Sequence, residues 1–212
     1  MVILKKKNST NGAFRAFLSI FGTLLIVCAL VLLYLTVGSA VTQEVRYTAK
    51  TTLRTLTGNN LSYKDLEPSN EDFSIVIPKI EAVAPVFQNV DPFNSGEYLS
   101  VLRRGVAHAK GTPFPGQAGN TYIFAHSTDA FYNVGSYNAV FFLLGKLETG
   151  DEIYVYFKGK KHIYSVEEVK VVPPEALRYL GDLGLGKSLT LQTCYPPGTT
   201  LKRLVVVAKE VG

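Results

Sequence analysis

The 212-residue sequence predicts an all-β domain, a sandwich or a closed barrel, behind one membrane-spanning helix. Three observations carry that expectation. From residue 73 onward, short runs rich in β-branched and aromatic residues recur at similar spacing, at 73–77, 80–86, 121–125, 152–157, 163–167, 170–172, 189–193 and 203–208. Only 97–104 and 174–180 read as helices, both short, the second with Pro174 at a favourable first-turn position. Ahead of all this, residues 16–37 carry no charge, long enough as a helix to cross the hydrocarbon core at about 1.5 Å per residue.

Each segment follows from its composition. Residues 1–15 hold Lys5, Lys6, Lys7 and Arg15 with no acid, which by the positive-inside rule makes them a cytoplasmic tail and puts the rest of the protein outside. Gly38-Ser39-Ala40 resembles a signal-peptide cleavage site, but the apolar run exceeds the usual signal core, so an uncleaved anchor over 16–37 is expected. Residues 38–72 are rich in Thr, Asn, Ser and charge and read as an extracellular stalk, with a weak helical period at Leu53, Leu56 and Leu61. The domain then fills 73–212. Its early strands break at Pro78 and Pro85, Lys158-Gly159-Lys160 makes a hairpin, and the consecutive apolar residues at 141–144 imply core contact. His162, next to Lys161, reads as facing water.

Charge and cysteine usage narrow the function. Without the four tail cations, the formal +5 falls to +1, which offers no basic stripe for phosphates and removes the main support for nucleic-acid binding. Cys28 lies in the apolar run and Cys194 in the domain, so no disulfide forms within the domain. An unpaired thiol in an exported domain is either inert and buried or kept for chemistry. Cys194 stands where the strand Leu189-Thr190-Leu191-Gln192-Thr193 ends, before a Tyr-Pro-Pro-Gly turn, and Arg203 opens the next strand. A thiol needs a proton acceptor, and His126 also sits just beyond a strand-like run, with His108 as its rival.

In colinear order the chain reads Ile77-Pro78-Lys79-Ile80, then GVAHAKGTPFPGQAGN over 105–120, then Ile123-Phe124-Ala125-His126, then LTLQTCYP with a following arginine. This order resembles the sortases, cysteine transpeptidases of the cell surface, over roughly 73–207. The resemblance implies a closed eight-stranded β-barrel with short helices. It implies Cys194 as nucleophile, His126 as general acid and base, and Arg203 as the holder of the carbonyl and its oxyanion. It assigns Thr193 to substrate positioning and makes the connection 173–187 a wall of the groove for the sorting signal, where Leu177, Leu180 and Leu183 either meet the signal's apolar residue or pack the loop against the barrel. His108 is expected to order the loop that carries Pro115-Gly116. The implied substrates are proteins with a C-terminal LPXTG-like signal, and the acceptor is an amine of a cell-wall precursor or a pilin lysine. No cofactor is implied and no metal site is expected, since the sequence groups no Cys/His ligands and its scattered acids do not argue for calcium. Two features depart from the family pattern. Asp91-Pro92-Phe93 reads as a turn, and His126 precedes Ser127-Thr128 with a Tyr- and Asn-containing loop over 129–138. The rival reading is a membrane-tethered β-barrel binding module, an inactive relative in which Cys194 is structural.

Overall fold

The structure, a computed structural model, describes residues 10–57, 66–127 and 140–212. The chain divides into two units, Met1–Gln43 and Glu44–Gly212. Helix α1 spans Thr10–Thr57. Its stretch Phe14–Leu32 has a mean hydropathy of 2.3 and is wholly unburied, a helix long and apolar enough to cross a membrane. Part of the stretch expected as a stalk is therefore helical. From Glu44 to Thr57 no glycine or proline interrupts the chain until Gly58, and Tyr47 packs against the core of the second unit. Leu61 and the loop 129–138 lie outside the described residues.

In the second unit eight strands close into a barrel: β1 (Phe73–Ile77), β2 (Ala82–Val90), β3 (Val106–Ala109), β4 (Gly119–Phe124), β5 (Glu152–Phe157), β6 (Lys160–Val172), β7 (Lys187–Tyr195) and β8 (Lys202–Glu210). Their order around the barrel is β1-β2-β3-β4-β7-β8-β6-β5. Neighbours are antiparallel except β2 with β3 and β4 with β7, which are parallel. Closure leaves no edge strand among the described residues exposed to pairing with other chains.

Strand limits differ from expectation where tertiary pairing extends them. Pro85 does not end β2. It makes the last pairing with β1, opposite Ser74, and the β3 ladder begins at Val86, so its missing N–H falls where one partner hands over to the next. The expected strands 163–167 and 170–172 are one long β6, interrupted only by a register shift between Val166 and Glu168. Asp91-Pro92-Phe93 is a turn, as expected: Asp91 Oδ1 accepts from Phe93 N at 2.9 Å, and Asn94 caps helix α2, Ser95–Leu102.

Alternation along each strand sorts side chains into two cores. Ile75, Ile77, Ile123, Ile153, Leu189, Leu191 and Val206 fill the barrel, joined by Phe141 and Leu144 from the apolar run. Tyr122, Phe124, Val205 and Val207 point outward and are covered by α2 and by the connection between β6 and β7, which contributes Tyr179, Leu180 and Leu183. That connection is pinned by Asn120, whose side-chain amide donates to Tyr179 O at 2.6 Å while its carbonyl accepts from Ser188 and Thr190.

One end of the barrel is plugged by the β3–β4 loop. His108, inside the barrel, accepts from Asn89 N at Nδ1 (3.3 Å), which leaves Nε2 as the protonated nitrogen facing Pro113 O at 3.2 Å. Its ring stacks on Phe114, which stacks in turn on Phe157. The expected loop-ordering role of His108 is thus seen directly. His162 corrects the expectation that it faces water: it is 4% exposed, and its Nδ1 meets Glu210 Oε1 at 2.7 Å. The reason is strand parity. His162 shares the inner face with Tyr164 and Val166, while Lys161 turns outward over the Tyr154 ring.

Candidate active site

The other end of the barrel collects the residues that sequence singled out. Strands β7 and β8 pair antiparallel with Cys194 opposite Arg203, which places both on the same face. Since Leu191 and Leu204 point inward, Cys194, Gln192 and Arg203 point outward, the side that also carries Tyr122 and Val205. Strand β4 runs parallel to β7 with Phe124 opposite Gln192, and Ala125 N donates to Gln192 O at 3.1 Å beyond the strand end. His126, half-buried, is the next residue, at the same end of β4 as Cys194 is of β7. Three residues separated by up to 77 positions are brought to one rim because two parallel strands and one antiparallel strand end together.

Local contacts hold this rim. Thr193, buried, donates from Oγ1 to Ala125 O at 3.1 Å, tying β7 to the residue before His126. Ser127, after His126, accepts from Gly198 N at 3.4 Å and so joins the histidine loop to the β7–β8 turn. In that turn the Tyr195–Pro196 peptide is cis and Gly198 has φ +77°, a conformation that favours glycine. The Arg203 guanidinium donates to Thr200 O and Lys202 O at 3.0 and 3.1 Å, which fixes one nitrogen and leaves the others for a ligand.

The thiol is half-buried. Burial pushes its pKa above the ordinary cysteine value, and the nearby Arg203 guanidinium pulls it partly back. Cys194 is therefore mainly a neutral thiol at pH 7, and thiolate formation depends on a base. The Tyr122 hydroxyl, which donates to the Gln192 side chain, is pushed up by burial and pulled down by the same guanidinium. Neither Tyr122 nor Gln192 was singled out from sequence, although alternation back from Cys194 places Gln192 on its face.

Next to Cys194 the barrel mouth opens into a cleft of about 350 Å³ whose walls include Thr193, Tyr195, Phe142, Lys146 and Glu44. Of the predicted groove residues, Leu180 and Leu183 are half-buried against the outer core, and Leu177 is 56% exposed. Among the described residues no group of three or more His, Cys, Asp or Glu side chains is placed to hold a metal ion.

A family model described as Sortase domain matches residues 75–211. The chain belongs to the sortase family. It is 26% identical over 156 residues to sortase D of Bacillus subtilis (strain 168), covering 72% of this chain and 70% of that protein. Among solved structures, this sortase is similar to a lid mutant of sortase A from Corynebacterium diphtheriae, at 27% identity and a TM-score of 0.56, covering 70% of this chain and 74% of the other. It is also similar to a Clostridium perfringens sortase D5 transpeptidase, at 26% identity and a TM-score of 0.55, covering 70% and 84%. The eight-stranded closed barrel is the fold of these sortases, and the family is one of cysteine transpeptidases.

Proposed function

We propose that this sortase is a membrane-anchored transpeptidase that cleaves an LPXTG-like sorting signal and passes the acyl group through a Cys194 thioester to an amine, joining surface proteins to a cell-wall precursor or pilins to one another. The observation that carries this reading is the pairing of Cys194 with Arg203 across β7 and β8, and His126, just past the end of β4, which pairs with β7, supports it. His126 takes the thiol proton as the sulfur attacks the carbonyl of the Thr–Gly bond. Arg203 donates to the oxygen as it gains charge. The imidazolium then protonates the departing amine, and a thioester remains. The acceptor amine attacks that carbonyl, the C–S bond breaks, and the amine's proton returns to the sulfur through His126.

Thr193 supports this geometry from behind by holding β7 against the exit of β4. Of the three leucines in the β6–β7 connection, the exposed Leu177 is the one free of the outer core and is assigned to meet the apolar residue of the signal, while Leu180 and Leu183 pack the connection against that core. The apolar helix anchors the protein, and the tail cations orient it with the N-terminus cytoplasmic and the barrel outside. A half-exposed thiol beside an arginine argues against the rival reading of Cys194 as a structural core residue.

The test is the full chain in lipid nanodiscs, incubated with a library of LPXTG-like peptides and glycine, with products and protein read by mass spectrometry. An acyl adduct on Cys194 and a glycine-terminated product are expected, both lost in Cys194→Ala. Turnover by that variant would sink the reading.

A further inference from the structure

The cleft at the barrel mouth is distinct from the outer face that carries Arg203 and Gln192. Its lining residues Thr193 and Leu204 belong to the inward-facing set, so Cys194 stands between an outer side and a mouth side. On the mouth side two opposite charges meet. Lys146 forms an ion pair with Glu44, both side chains are about half exposed (40% and 45%), and the Lys146 ammonium also lies 5.8 Å from the centroid of the Tyr47 ring. Both charged groups line the space that adjoins the sulfur. The proposed outer-side chemistry, with the acyl donor held by Arg203, uses neither.

We propose that this mouth-side cleft is the acceptor site and that it selects an amine carrying a carboxylate on the same carbon, Glu44 receiving the ammonium and Lys146 the carboxylate. The inference rests on the transpeptidase reading above. Binding exchanges one ion pair for others. An acceptor with a positive charge alone takes Glu44 from Lys146 and leaves the lysine unpaired. One with both charges replaces a single pair by two, so the site loses no compensation. The pair is half exposed and easily opened, which suits a contact that must give way to a ligand. Once bound, the ammonium gives one proton to solvent water in the open cleft, the free amine bonds to the thioester carbon, and the C–S bond breaks. The second amine proton reaches the departing sulfur through His126.

The experiment compares glycine with glycinamide, which lacks the carboxylate, as acceptors for the full chain in nanodiscs, using a peptide that acylates Cys194. Because the two amines differ in basicity, the readout is the ratio of their kcat/KM values in each variant, which cancels that difference. Lys146→Gln is expected to lower the glycine preference about fivefold, the upper end for a half-exposed ion pair, and Lys146→Glu to lower it further. Acyl-enzyme formation on Cys194, followed without acceptor, separates the two claims. If the adduct forms but the ratio is the same in wild type, Lys146→Gln and Lys146→Glu, the acceptor assignment is overturned and the transpeptidase reading stands. If no peptide acylates Cys194, the transpeptidase reading itself fails.

Discussion

The two ends of this barrel are built from similar residue types and used in opposite ways. At the plugged end His108, His162, Tyr164 and Glu210 lie inside among Phe73, Phe114 and Phe157, and each histidine has a close polar partner. One carboxylate oxygen there, Glu210 Oε2, makes no hydrogen bond, with Lys187 Nζ at 3.7 Å as its nearest compensation. At the open end the cysteine, the histidine and the arginine stand half-exposed at strand ends. A histidine sealed among aromatic rings with its nitrogens committed has no route for exchanging protons with a substrate. His126, half-buried at the open rim, has one in the proposed mechanism. Residue type therefore said less about function than position along the strand.

The largest effects should fall at the open end. His126→Ala is expected to lose roughly 10²–10⁴-fold in kcat/KM while keeping its melting temperature. His162→Gln should do the reverse, unfolding at lower temperature with most of its turnover intact. Equal inactivation of a well-folded His162→Gln protein would break the contrast between the ends.

Arg203 sharpens the contrast because its effect is graded. Arg203→Ala is expected to lose about 2.7–4 kcal/mol of transition-state stabilisation, and Arg203→Lys less, since lysine keeps the charge but not the planar fork. Wild-type kcat in Arg203→Ala would make the arginine a bystander. The same residue should be visible without substrate. In a Cys28→Ala background, the pH midpoint for alkylation of Cys194 by iodoacetamide should lie above that of a free cysteine, because burial dominates. It should move higher still in Arg203→Gln, which removes the opposing charge. A midpoint that falls in that variant would contradict this account.

At the plugged end Gly116 has φ +84°, and a Cβ there would come within 2.6 Å of His162 Cε1. Gly116→Ala should cost about 2–4 kcal/mol in denaturant unfolding through left-handed strain and overpacking, with kcat retained. The smallest effect is a pH dependence. Burial lowers the His108 pKa, so the folded state binds fewer protons there than the unfolded state. The stability this contributes is complete above about pH 6.5 and is lost as pH falls from there through the lower folded value. Tm measured between pH 7.5 and 5 should fall, and the fall should be shallower in His108→Gln.

What was legible in the sequence was whatever depends on local pattern. The limits of β1 and β5 matched their apolar and aromatic runs, and Cys194 announced itself as an unpaired thiol at a strand end. The resemblance carried the eight-stranded barrel. Local pattern failed where a neighbour in space outweighed a neighbour in sequence. Lys161 made His162 look solvent-facing, although one step along a strand reverses the face. Pro85 looked like a strand end, although the ladder only changes partner there.

Hydropathy, strand propensity and residue chemistry are properties of short stretches, so an apolar segment long enough to cross a membrane, a β-rich domain and one unpaired domain thiol could be read from the residues alone. That Cys194 faces Arg203 across a ladder, that two histidines are sealed in the barrel, and that Glu44 and Lys146 share a cleft with the sulfur emerged with the fold. Register and closure bring together residues as many as 150 positions apart, from Glu44 to Cys194, and pairings over that range are fixed by the packing of the whole barrel.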